Sequence, residues 1–125
     1  MLNTNLKLKA YTHRLAPGQL KALDGLHELC GWIEGRNLKR AAVTNAPRAN
    51  AKLMLSLLGL TDFFPVLVIG SECDRAKPFP DPYLKALQLI DASPEHTFIF
   101  EVWIMLSRRD SLKLCFFIIT SRNSQ

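Results

Sequence analysis

From Leu23 to Glu101, apolar positions alternate between a helical and a strand-like rhythm. Leu26, Leu29, Cys30 and Ile33 recur at spacings of three and four, which predicts an amphipathic helix over 23–35, capped by Asp24 and broken near Gly35. Leu38 to Thr44 is a short run with an apolar centre and polar flanks, as expected of a strand covered on both faces. Pro47 suits the first turn of a second helix, whose buried stripe is Ala49, Leu53, Leu57 and Leu58, and Gly59 can end it. Val66 to Gly70 reads as a second buried strand, and Ser71 to Pro80 as a loop rich in charge and proline. A third helix starts at Asp81-Pro82 and runs to about Ala92 with Leu84, Leu87 and Ile90 inward, followed by a third strand, Thr97 to Glu101.

Strands alternating with helices at this spacing predict an α/β fold with a parallel sheet and right-handed crossovers. In such sheets ligands collect at the carboxyl ends of the strands. Thr44 and Glu101 stand at two of those ends, and Lys77 lies in the loop between the second strand and the third helix.

Composition narrows the picture. The chain has 125 residues, 48% of them apolar and 22% charged, which suits one globular domain with a modest core. The net charge of +5 comes from scattered basic residues without a patch interleaved with aromatics, so nucleic acid is not an expected partner. No apolar run approaches the ~20 residues that span a bilayer, so neither is a membrane. Cys30, Cys73 and Cys115 show no CxxC spacing and read as reduced thiols in a cytoplasmic setting. An organellar transit segment is the alternative, because the first 23 residues lack Asp and Glu, although they also lack Ser and hold one Arg.

The chemistry follows from three positions. A phosphoryl group in transfer spreads negative charge over its equatorial oxygens, so it needs positioned donors and cations. Thr44 supplies a hydroxyl, Asn45 and the N–H groups before the second helix supply further donors, and Lys77 supplies a cation. Each residue has a structural use as well. Thr44 could cap a helix, Lys77 could be a solvated loop residue, and Glu101 a strand-end charge. His27 and His96 suit surface or packing roles better than ligation, and His13 belongs to no motif.

In order and spacing, Thr44-Asn45 after an apolar strand, Lys77 within Lys-Pro-Phe-Pro-Asp-Pro-Tyr, and Phe98-Ile99-Phe100-Glu101 resemble the second, third and fourth motifs of haloacid dehalogenase-like (HAD) hydrolases. The nearest group is the β-phosphoglucomutase-like one that includes plant sugar-phosphate phosphatases. The resemblance covers Asp24 to Glu101. It implies a Rossmannoid core, a magnesium-dependent hydrolase of small phosphorylated sugars, Thr44, Asn45 and Lys77 on the phosphate, Lys77 also as a catalytic cation, and Glu101 near the magnesium through water.

Two parts of the family pattern are missing. Its Asp-x-Asp nucleophile motif lies on a first strand, and no acidic residue precedes Asp24. Its fourth motif continues Glu-Asp-Ser, whereas Glu101 is followed by Val102 and Trp103. The expectation is therefore three segments: 1–22, a remnant of a cap helix; 23–101, a partial core without its central first strand and without a cap domain; and 102–125, a tail unrelated to the family. In the family the missing strand lies between those ending in Thr44 and Glu101, so its loss leaves two buried edges open to self-association. Leu112 to Thr120 is the one segment suited to fill the gap. The functional expectation is a truncated, inactive member of a sugar-phosphate phosphatase family that does not hold magnesium tightly. The alternative is a non-catalytic isoform that binds phosphate weakly or pairs with a partner. A dinucleotide-binding module is disfavoured by the absence of Gly-x-Gly-x-x-Gly.

Overall fold

A computed structural model describes residues 25–75, 78–107 and 112–122. Asp24, the N-terminal segment 1–22 with His13, and Lys77 lie outside the described residues. The elements run in the order α1 (Leu26–Gly35), β1 (Lys39–Thr44), α2 (Arg48–Leu57), β2 (Leu67–Ile69), α3 (Asp81–Leu89), β3 (Thr97–Ser107) and β4 (Leu112–Ser121), with 3-10 turns at Gly70–Glu72 and Pro94–His96. Among the described residues no helix is long and apolar enough to cross a membrane.

The three described helices end in the same way. After α1, the N–H of Asn37 donates to the Glu34 carbonyl and that of Leu38 to the Ile33 carbonyl. The same pair of bonds recurs at Gly59 and Leu60 after α2, and at Asp91 and Ala92 after α3. Asn37, Gly59 and Asp91 take the left-handed conformation, at φ 51°, 72° and 54°, that this six-residue closure requires. Gly59 ends its helix as the sequence predicts. The first helix ends at Gly35 as expected, and Asn37 closes it because asparagine tolerates positive φ. Its N-cap is Gly25, at φ 97° and without a side-chain bond.

The expected inward faces hold except at one position in each of α3 and α2: Leu87 and Ile90 pack inward in α3, and Leu53, Leu57 and Leu58 in α2. In α3 the inward residues are Pro82, Tyr83, Ala86, Leu87 and Ile90, while Leu84 is 56% exposed. In α2, Ala49 is exposed, and Asn50, Ala51, Met54 and Leu55 share the buried side with Leu57 and Leu58. The apolar residues of α2 are too many to mark one stripe, so the packing decides which of them faces in.

The sheet has the order β2-β1-β4-β3. β1 and β2 pair in parallel, with Thr44 opposite Ile69. β4 lies between β1 and β3 and runs antiparallel to both, Val43 and Glu101 each facing Phe117. The α/β fold is present, and the gap expected between β1 and β3 is filled by the segment singled out for it. The direction of that segment makes the sheet mixed rather than wholly parallel. β3 does not stop at Glu101 but continues to Ser107, because β4 is long enough to pair along all of it. Residues 102–107 and 112–121 belong to the sheet.

Alternation along β4 divides its side chains between two layers. Phe116 and Ile118 pack with Leu26, Cys30 and Ile33 of α1 and with Met54, Leu55 and Leu58 around α2. Ile119 joins Ala41, Val43, Val68 and Ala86 on the α3 side. Phe116 is fully buried and meets Phe64 edge-on, with ring centres 6.3 Å apart. Phe116→Ala is expected to lower stability by ~3–5 kcal/mol, as for other buried aromatic truncations, whereas Leu84→Ala should stay within ~0.5 kcal/mol. Urea unfolding checks both; a Phe116→Ala loss no larger than that of Leu84→Ala would mean that β4 does not hold the core.

Candidate active site at the carboxyl end of β1

Thr44 ends β1 and is 1% exposed. Its hydroxyl donates to the backbone carbonyl of Cys115 at 2.8 Å and accepts from the Ala46 N–H at 3.1 Å. The first bond ties β1 to β4, and the second shapes the turn into α2. This turn use is close to the capping role open to a threonine at a strand-to-helix junction, although α2 itself has no side-chain cap. Asn45 follows in the exposed turn.

Glu101 lies level with the end of β1, since both it and Val43 face Phe117. It is not a strand end, and the pleat sends its side chain to the α3 side while Thr44 is set on the other. Its carboxylate accepts from the Trp103 indole N–H at 2.8 Å and has the Cys115 thiol at 3.8 Å. Tyr83 stands nearby, its ring 5.7 Å from that of Phe117, and burial raises the pKa of its phenol, helped by Cys115 and Glu101. Cys115 is thus common to both residues, its carbonyl meeting Thr44 and its thiol facing Glu101.

Two ion pairs flank the loop that carries Lys77. Arg48, at the start of α2, grips both carboxylate oxygens of Glu72, at 2.7 and 2.8 Å. That hydrogen bonding holds the Glu72 carboxyl below the usual carboxylate range. Arg75 pairs with Asp81 at 3.0 Å and lies over the Phe79 ring at 4.7 Å. The sequence reading missed both pairings, because nothing in the spacing of these residues marks them as partners. Both pairs are exposed, so their effect is to bias the loop rather than to add much stability.

A magnesium ion takes six oxygen ligands in near-octahedral geometry, usually one or two carboxylates with the rest from water or substrate phosphate. Among the described residues no three His, Cys, Asp or Glu side chains converge on a metal position, and the Glu101 carboxylate already holds the Trp103 indole.

Residues 3–101 match the family described as haloacid dehalogenase-like hydrolase. The chain belongs to that family. It is 32% identical over 82 residues to a phosphorylated carbohydrates phosphatase of Thermotoga maritima, covering 66% of this chain and 38% of the relative. It is 33% identical over 98 residues to Protein CbbY of Rhodobacter capsulatus, covering 76% and 43%. With the pyrophosphatase PpaX of Bacillus mycoides it shares 29% over 89 residues, covering 71% and 41%. The chain thus spans about two fifths of the length of these relatives. No solved structure matches it.

At the opposite end of β1 a cavity of about 610 Å³ opens between α1 and the end of α2, lined by His27, Cys30, Glu34, Arg40 and Asp62 among others. His27 meets the Leu58 carbonyl there at 3.2 Å, a packing role as expected. Arg40 lies over the Phe63 ring at 4.3 Å. Burial pushes the Cys30 thiol up to about 11, against the pull of Arg40.

Two predictions follow from these environments. Thr44→Val removes a hydroxyl from between a buried carbonyl and a backbone N–H, and should cost about 1–3 kcal/mol, with Thr44→Ser closer to the parent chain. Equal urea midpoints for the three chains would show that the two bonds contribute nothing. The raised Cys30 pKa favours the neutral thiol in the folded chain, so its contribution is complete below the ordinary value of 9.0 and is lost as pH rises toward about 11. Thermal melts should fall across that window, and Cys30→Ala should flatten the fall, leaving the part due to Tyr83. An unchanged slope would rule out Cys30 as its source.

Proposed function

We propose that this chain descends from phosphoric monoester hydrolases acting on small phosphorylated sugars, and that by itself it does not turn such substrates over. The observation that carries the reading is the bond from the Thr44 hydroxyl to the Cys115 carbonyl on β4. The family resemblance assigns that hydroxyl to phosphate and the position of β4 to the strand bearing the nucleophile. In this chain the strand in that position offers the hydroxyl a carbonyl instead. Covalent phosphoryl chemistry needs a nucleophilic carboxylate, and β4 contains neither Asp nor Glu.

Phosphate would be held, weakly, by Asn45, Lys77 and the N–H groups ahead of α2, with Thr44 joining only on leaving Cys115. The departure from the family's fourth motif, where Val102 and Trp103 follow Glu101, supports weak binding, since no metal would share the charge of the phosphate. Three cysteines without CxxC spacing support a reducing, cytoplasmic setting. With β4 filling the gap whose edges were expected to self-associate, self-association would use the outer edge of β3 instead.

The test is phosphate release from p-nitrophenyl phosphate and from hexose phosphates, with magnesium present. No release is expected. Release that survives repurification and falls on Lys77→Ala would overturn the reading, because a contaminating phosphatase would not respond to that substitution.

A further inference from the structure

Among the described residues β3 is the outer strand of the sheet, paired on one side, to β4. α3 packs on β1, β2 and β4, so on that side Ile99 and Trp103 are 50% and 49% exposed, and on the other Phe98 is 64% exposed. Edge strands are normally blunted by lysine, proline, bulges or shortness. Over the eleven residues Thr97–Ser107 there is neither lysine nor proline, and one charge, Glu101. The strand's one irregularity, between Met105 and Ser107, lies at its far end.

We propose that β3 pairs with β3 of a second copy, antiparallel and symmetric about Val102, joining two four-stranded sheets into one. The inference rests on the self-association reading and specifies its edge and register. Full overlap of a strand with itself fixes the axis at its midpoint, placing Thr97 opposite Ser107 and Glu101 opposite Trp103 of the partner subunit. Within one chain the Glu101 carboxylate already bonds the Trp103 indole at 2.8 Å, so the pairing sets two such acid–indole couples side by side. No like charges are directly opposed. The two carboxylates meet only on the diagonal, about 7–8 Å apart in such a ladder. The pairing satisfies the outward backbone groups of β3, covers Ile99 and Phe98, and points the two Thr44 ends in opposite directions.

Analytical ultracentrifugation of the full chain and two variants tests this. Trp103→Glu sets an acid opposite Glu101 twice in each dimer and should weaken association at least about tenfold. Trp103→Lys sets a base there and should keep the dimer. A monomeric parent chain would overturn both the register and the self-association reading. A parent dimer that both variants retain equally, or lose equally, would overturn the register and leave self-association standing. Amide exchange in the parent chain gives a second readout: protection along β3 should rise with protein concentration, and unchanged protection in an associated chain would exclude this edge.

Discussion

The ladder on both sides of β4 is the constraint on which the rest of the chain depends. β1 is buried from Ala41 to Thr44, and its backbone groups on the side away from β2 find partners only because β4 runs beside them. Buried peptide groups without partners are costly. The same strand supplies Phe116 and Ile118 to one layer of the core and Ile119 to the other. One ten-residue segment therefore closes two ladders and fills both faces.

Its direction shapes the candidate site. Because β4 is antiparallel to β1, its first half, with Cys115, reaches the end of the sheet where β1 and β2 finish. A parallel strand would bring its last residues there and lead onward into a loop. An antiparallel one brings residues fresh from a hairpin, and here they offer a carbonyl to Thr44 and a thiol to Glu101. The same strand that completes the packing of the sheet thus sets the partners of Thr44 and Glu101.

Much of this was legible beforehand. The apolar runs at Leu38–Thr44 and Val66–Gly70 are strands because β-branched and small apolar residues suit a sheet covered on both sides, and Gly59 announces its turn by residue type. The segment from Leu112 is readable as a strand from its Phe and Ile content. Its direction is not, since orientation depends on where the preceding chain leaves the sheet. The length of β3 was hidden for the same reason: Val102 onward extends only because β4 is there to pair with. Ion pairs such as Arg48–Glu72 join residues far apart in the chain, and no local pattern encodes them. Thr44 and Lys77 stand out by motif, but the partner that Thr44 takes is set by the neighbouring strand.

The register of β4 has a consequence in time. Ser107 and Leu112 pair across a short connection, whereas Lys39 pairs with Ser121, near the far end of the chain. Local closures are fast and distant ones slow, because the entropy of bringing ends together grows with the length between them. The hairpin of β3 and β4 can form early and alone, while β1 and β2 assemble with their helices. The docking of these two halves along β1 is then the slow step, and until it occurs each half carries an open, apolar edge.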